Sequence, residues 1–302
     1  MTGEISEAAE ADSWPVRCPH CGRALHVERR ASDRHADQPA DRPATIRALS
    51  CDAGHRFDAA RQGYVNLLVG RGSSATPDAA AMIMARERIQ DAGILRRVTE
   101  ALTAIATRAP EPRRVLDCGA GTGHHLHALL EALPAASGIA VDLSPAGLKR
   151  AAKHPRTLAL TWDLWRPLPV ADASIDLLVD VFAPRSPEEY ARVLAPGGRA
   201  IVVTPRPGHL QELAAHGLLG MREDKHRELL ARMGAALGDP EEHRAAGETV
   251  DLDAEQAADL IMMGPAGHHR DREQILNDVD HAGIRRATVD VDVTTWKRHA
   301  GD

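Results

Sequence analysis

The chain has 302 residues, 43% of them hydrophobic, and a formal net charge of -6, which suits one large domain with an appendage or two modest domains and leaves a disordered class out. No apolar run approaches the length needed to span a bilayer, and the first residues, Met1 to Ser13, are acidic where a signal peptide is basic and then apolar, so a cytoplasmic address with no membrane partner is expected. The negative total argues against a nucleic-acid binder, but it is unevenly spread: residues 1–13 carry four acids and no bases, whereas residues 14–75 carry ten Arg against six acids.

In chain order, residues 1–13 are expected to be a disordered tail, being acidic and without apolar period. Residues 14–72 form a Cys/His module. It opens on Cys18-Pro-His-Cys21 and, after a polar stretch with Pro39 and Pro43 that reads as a loop, continues with Cys51-Asp-Ala-Gly-His55. C-x2-C followed by C-x3-H offers three thiolates and one imidazole, a closed tetrahedral set for Zn2+. With no ligand position left open, the metal is expected to be structural, ordering a segment too poor in apolar residues to fold alone. His20, His26 and His35 are read as bystanders. The next stretch, residues 73–112, is read as a helical linker and cover, with apolar Met82, Ile89, Ile94, Val98, Leu102 and Ile105 at helical spacing and a break near Gly93.

From Arg114 the pattern becomes short apolar runs alternating with helical segments: "RVLDCG", "GIAVDLS", "TLALTWD", "IDLLVDVF" and "RAIVVTP" read as buried strands of a parallel α/β sheet. Further on, "RRATVDVDVTTWKR" reads as a long strand that pairs antiparallel at the sheet edge. Within the first run, Asp117, Gly119, Gly121 and Gly123 follow a strand and precede a helix, so the backbone can approach a ligand closely. A dinucleotide fingerprint needs its third glycine three places after the second, and residue 124 is His, so the nicotinamide reading fails on spacing. Cys118 is read as a small core residue rather than a nucleophile.

The D-x-G-x-G-x-G pattern resembles motif I of the class I methyltransferases, a Rossmann-like fold that binds S-adenosyl-L-methionine. Asp142, ending the next strand, stands where an acid accepts from ribose hydroxyls; Asp163, ending the third, is a candidate for the adenine amino group, with helix or loop capping as the alternative. "VLAPGG" resembles the Leu-x-Pro-Gly-Gly turn of the same superfamily. From Cys18 to Trp296, and most specifically in "GHRFDAARQGYVNLL" and "VFAPRSPEEYARVLAPGG", the chain resembles the RlmA family of large-subunit rRNA guanine-N1 methyltransferases, closest to its actinobacterial tylosin-resistance subgroup in "GTGHHL" and "VFAPR".

That resemblance implies zinc at Cys18, Cys21, Cys51 and His55; S-adenosyl-L-methionine at Asp117, Gly119, Gly121, Thr122, Gly123, Asp142 and Asp163; and a cofactor contact at His209 in "TPRPGHL". It implies residues 73–302 as the methyltransferase domain and a 23S rRNA hairpin near the macrolide site as partner, with a role in macrolide resistance. There are departures: the loop between the ligand pairs is longer than usual, and Ile94-Leu95 stand where family members often carry His-Tyr, placing Leu95 at a cofactor position without the tyrosine. Because guanine N1 is paired in a duplex, the base must be unpaired or extruded, with its N1 proton removed. Asp180 at the end of the fourth strand is the candidate base, with solvation of the strand end as its alternative. Phe182 is a candidate for stacking and Arg185 for phosphate contact; the pairs His124-His125 and His268-His269 are candidates for RNA contact. The zinc module is read as a recognition arm that also caps the core through Phe57, Tyr64, Val65 and Leu67, and two such modules make a homodimer conceivable. Two other functions stay open: a non-catalytic RNA-binding protein that keeps the fold, and a small-molecule methyltransferase of an antibiotic cluster.

Overall fold

The computed structural model describes residues 14–29, 46–70, 72–108, 110–219 and 225–299; the expected tail, and the loop between the ligand pairs with His35, lie outside the described residues. The N-terminal part folds as a three-stranded antiparallel sheet, β1 (His26–Arg29), β2 (Ile46–Ser50) and β3 (Arg56–Asp58). The short β4 (Val65–Asn66) then leaves it and pairs in parallel with the core sheet. Helices α1 (Ala80–Asp91) and α2 (Arg96–Ala106) follow, separated at Gly93, whose φ of +70° ends the first helix in the left-handed turn that glycine favours. On α2 the buried residues Val98, Ala101, Leu102 and Ile105 recur at helical spacing and put one face on the core.

The α/β part runs β5 (Arg114–Cys118), α3 (His124–Ala132), β6 (Ser137–Asp142), α4 (Pro145–Ala151), β7 (Thr157–Thr161), β8 (Ile175–Val181), α5 (Pro187–Val193) and β9 (Leu194–Pro205). Then come α6 (Gln211–Ala215), α7 (Lys225–Leu237), β10 (Glu242–Asp251), α8 (Ala254–Met262), α9 (Arg272–Ala282) and β11 (Arg286–Lys297). Eight strands form one sheet in the order β10-β11-β9-β8-β5-β6-β7-β4, the first two antiparallel and the rest parallel. The strand order reverses between β5 and β8, so the loops after these two strands open a crevice at their C-terminal ends, where α/β sheets bind ligands.

The parallel strands are buried on both faces, as their near-continuous apolar runs require. β11 does pair antiparallel, but not at the edge. The edge is taken by β10, a ten-residue strand in which half-buried and exposed residues alternate. Its charged, alanine-rich sequence carries little apolar signal, which is why only its end, "ETVDLD", stands out by eye.

The N-terminal module docks on the core in two places. Val16 bridges Val170, with Arg17 donating to Pro169 and Ala171 donating to Pro15. Val65 and Leu67 are fully buried in the apolar cluster that also holds Leu158 and Leu160 of β7. Tyr64 is half-buried against the opposite face of the sheet, and Phe57 stacks on His20 with ring centres 5.9 Å apart. No described helix is long and apolar enough to cross a membrane.

Candidate active site and metal centre

Cys18, Cys21, Cys51 and His55 converge, with all four ligand atoms within 4.8 Å of one another. Cys21 Sγ lies 3.8 Å from Cys51 Sγ, and His55 Nδ1 lies 3.6 Å from Cys18 Sγ and 3.5 Å from Cys51 Sγ. A tetrahedral zinc with bonds of about 2.3 Å to sulfur and about 2.0–2.1 Å to nitrogen sets S···S near ~3.8 Å and S···N near ~3.6 Å. These three separations match a tetrahedral site, and the four side chains together fit the ion. His20 stacks on the His55 ring at 4.7 Å, and His26 faces Asp52 at 3.6 Å; neither joins the ligand set. In the same module Arg17, Arg23, Arg47 and Arg61 are exposed, and none forms an ion pair with a described residue.

At the crevice lies a cavity of about 880 Å³. One wall is the glycine turn after β5. Gly119, Gly121 and Gly123 all have positive φ, and none has room for a side chain as it stands: a Cβ on Gly119 would overlap that of Ala183, one on Gly123 would lie 2.8 Å from Ala151 Cα, and one on Gly121 would lie 2.9 Å from the movable Arg86 Nη1. Asp142 pins the turn, its Oδ2 accepting from Gly121 N at 2.8 Å and its Oδ1 from Ser144 N at 2.7 Å. Each of these oxygens keeps a further lone pair. Asp163 accepts from Ser73 Oγ at 2.6 Å and from Trp165 N at 3.0 Å, so it ties the segment after β4 to the cavity and caps its own loop.

Asp117, Gly119, Gly121, Asp142, Asp163, His209 and Leu95 line this cavity; Thr122, Gly123 and Asp180 do not. Thr122 is buried, donating to Gln90 Oε1 at 2.7 Å. Leu95, 4% exposed, is part of the core with Ile94 and Val98, and gives the cavity an apolar wall. The polar and aromatic linings that sequence reading missed include Asp78, Arg86, Gln90, Trp165 and Asp292, while His125, read as a candidate for RNA contact, lines the cavity as well. Arg86 is held by Asp78 at 2.6 Å and by the Met263 carbonyl at 3.0 Å. No spacing links the missed residues to the glycine turn; only Trp165, an aromatic two places after Asp163, offers a signal.

Burial shifts the acids of the cavity floor upward. Asp117 is pushed to about 8, by burial first and then by the charges of Asp142 and Asp180; Asp142 is raised by burial as well. A cation placed beside them would lower both. Burial depresses the histidines instead, His125 to about 3 and His209 to about 4, so both are neutral at physiological pH. His209 Nδ1 accepts from Asp290 N at 3.2 Å, which leaves the proton of the neutral ring on Nε2 and makes that nitrogen a donor.

Asp180, the expected base, lies outside the cavity lining. Its carboxylate is fully buried, and its surroundings are protein: Tyr190 Oη donates to Oδ2 at 2.6 Å, Ala183 N donates to Oδ1 at 3.2 Å, and Arg185 Nε lies 3.3 Å from Oδ1. Burial raises it to about 6 against the pull of Arg185 and Tyr190. It shares a sheet face with Leu178, under α5, while the cavity begins at Val181 and Phe182. Arg185 is likewise turned inward, donating to the Val203 carbonyl at 3.2 Å, rather than free for phosphate.

Phe182 has a φ of +59° and is 37% exposed, with its ring 5.4 Å from that of His209. A non-glycine residue in this region costs about 1–3 kcal/mol. On the same side, Asp292 lines the cavity with Arg206 Nε at 3.7 Å and His243 Nε2 at 3.3 Å. His268 faces Asp78 at 3.5 Å across the cavity, while His124 and His125 share Thr99 Oγ1.

The chain matches two family models, "RlmA, N-terminal" over residues 43–70 and "Methyltransferase domain" over residues 115–198. A Streptomyces fradiae protein named 23S rRNA (guanine(748)-N(1))-methyltransferase is 37% identical over 288 residues, covering 93% of this chain and 96% of that one. A Micromonospora griseorubida protein, whose name gives a 23S rRNA guanine-N1 activity provisionally, is 42% identical over 277 residues, covering 85% and 88%. Among solved structures, a Haloferax volcanii methyltransferase in complex with the Trm112 activator superposes with a TM-score of 0.51 at 21% identity, covering 75% of this chain and all of that one. That likeness concerns the class I methyltransferase fold alone.

Proposed function

The chain belongs to the family of 23S rRNA guanine-N1 methyltransferases, S-adenosylmethionine-dependent enzymes with an N-terminal zinc ribbon, and from this premise we propose that it methylates N1 of one guanine in a 23S rRNA hairpin, protecting the ribosome from tylosin-type macrolides. The observation that carries the reading is the continuity of the cavity, which runs from the glycine turn and Asp142 to the aromatic face made by Phe182 and His209. A cofactor and a flat, extruded base fit such a cleft side by side, and stacking on an aromatic ring is how unpaired bases are held. An RNA substrate also sets the enzyme's work in the cytoplasm.

S-adenosylmethionine, when bound, supplies an electrophilic sulfonium methyl group. The chain's own residues do the rest. Asp142 accepts from ribose hydroxyls, Asp163 from the adenine amino group, and Asp117 gains a cationic neighbour that its burial otherwise denies it. Leu95 and Trp162 exclude water. His209 donates through Nε2 to an acceptor on the base, such as guanine O6. Removal of the N1 proton needs a carboxylate on the side of Phe182, and Asp292 is our candidate: Asp78, Asp117, Asp142 and Asp163 line the cofactor side. The zinc ribbon, with Arg17, Arg23, Arg47 and Arg61 exposed, grips the hairpin backbone, and a homodimer bringing two ribbons to one RNA belongs to the same reading.

Nucleoside analysis by mass spectrometry of unmodified 23S rRNA after incubation with enzyme and cofactor tests it. One 1-methylguanosine per RNA supports the reading. Methyl transfer to a small acceptor with unmodified RNA would favour the antibiotic-cluster alternative, and cofactor binding with no product at all would favour the non-catalytic one.

A further inference from the structure

The left-handed backbone of Phe182 needs a cause. A bulky L-residue holds such a conformation only where its surroundings over-determine it, and here they do. Phe182 N donates to the Val203 carbonyl at 3.3 Å. One residue on, Ala183 N donates to Asp180 Oδ1, so the carboxylate of the strand end reaches forward and closes the turn. Arg185 completes the turn, its guanidinium on Asp180 and on the same Val203 carbonyl. Tyr190, 2% exposed and coming from α5, fixes the other carboxylate oxygen at 2.6 Å. None of Asp180, Tyr190 and Arg185 lines the cavity. A buried carboxylate with two hydrogen-bond donors and a cation beside it is costly where an apolar side chain would fill the space, so stability alone does not explain it.

We propose that Asp180, Tyr190 and Arg185 form a positioning clamp that holds Phe182 at the cleft, so that its ring stacks on the target guanine while His209, its ring 5.4 Å away, meets the edge of the same base. The inference rests on the reading above that an extruded base enters this cavity. Ala183 occupies the space that a side chain on Gly119 would need, which registers the Phe182 turn against the cofactor turn. His209 is fixed through Asp290 N, whose bond to Nδ1 sets the ring and leaves Nε2 for the base edge.

The test is a double-mutant cycle between Tyr190→Phe and Phe182→Ala, read as kcat and KM for a hairpin RNA together with the cofactor Kd by calorimetry. Wild-type enzyme that places no methyl on RNA refutes the underlying reading before the cycle begins. Given turnover, Phe182→Ala is expected to lower kcat/KM for RNA by about 10- to 100-fold, the range found for one base stack. Tyr190→Phe keeps the ring and the packing and is expected to lower it by about 10-fold, the size of one hydrogen bond to a charged group. In the Phe182→Ala background Tyr190→Phe is expected to cost less than about twofold, with the cofactor Kd within about threefold throughout. Equal effects of Tyr190→Phe in both backgrounds, or a loss of cofactor affinity matching the loss of turnover, would overturn the clamp. Should Tyr190→Phe fold poorly, Arg185→Lys replaces it in the same cycle. Asp180→Asn separates positioning from proton transfer: the clamp predicts a kcat pH profile of unchanged shape, whereas loss of its acid limb would return Asp180 to the role of base and sink the proposal.

Discussion

Asp117 is the residue at which folding and cofactor binding conflict most directly, and Asp117→Asn exposes the conflict. The carboxyl is 4% exposed and raised from 3.8 to about 8 by burial and by Asp142 and Asp180. Between those values the unfolded chain is ionised there and the folded one is not, so the folded state binds the extra proton and stability falls as pH rises from about 4 to about 8. About four pK units correspond to a ceiling of about 6 kcal/mol above pH 8. The asparagine variant lacks this loss. A third of the ceiling, about 2 kcal/mol, moves Tm by about 4–8 °C for a domain of this size. Thermal melts of the cofactor-free protein should therefore show variant and wild type nearly equal at pH 4 and the variant more stable at pH 8.5, while its affinity for S-adenosylmethionine falls. Wild-type affinity should rise with pH toward 8, since the cationic cofactor favours the ionised form. A Tm difference that is flat from pH 4 to 8.5 would refute the reasoning.

Gly119→Ala adds a methyl that overlaps Ala183 at a φ of +81°; left-handed strain of about 1–2 kcal/mol and overpacking of about 1–3 kcal/mol should raise the cofactor Kd by at least about 30-fold, measured by calorimetry. Cys51→Ser should reduce bound zinc, read by elemental mass spectrometry from one per chain toward none, and abolish tight hairpin binding, while cofactor affinity changes less than about threefold because the glycine turn belongs to the other part of the chain. Asp292→Asn should lower kcat by about 100-fold or more with RNA KM little changed, and an unaltered kcat would remove it as proton acceptor.

Several of these residues are legible in the sequence alone. The glycine turn announces itself because close backbone approach demands Gly at fixed spacing, and Asp142 follows at one βα unit. The zinc ligands are legible because tetrahedral thiolate chemistry tolerates few spacings. Which way Asp180 faces is not legible: β8 is buried on both faces, so no alternation of polar and apolar residues tells which face its last carboxylate takes, and the structure sets it under α5 against Tyr190. Arg86, Gln90 and Asp292 reach the cavity from helices and strands outside the glycine-turn unit, through tertiary contacts that sequence spacing does not encode. β10 stayed hidden because an exposed edge strand of Glu, His, Arg and Ala has half the apolar period of an inner one.

The most direct measurement is primer extension on 23S rRNA treated with enzyme and S-adenosylmethionine, comparing wild type with Cys51→Ser. N1-methylguanine blocks base pairing, so reverse transcriptase should arrest at one guanine in one hairpin with the wild type and read through with the zinc-site variant. Arrest of equal strength with both proteins would contradict the recognition role of the ribbon, and read-through with both would contradict guanine-N1 methylation itself.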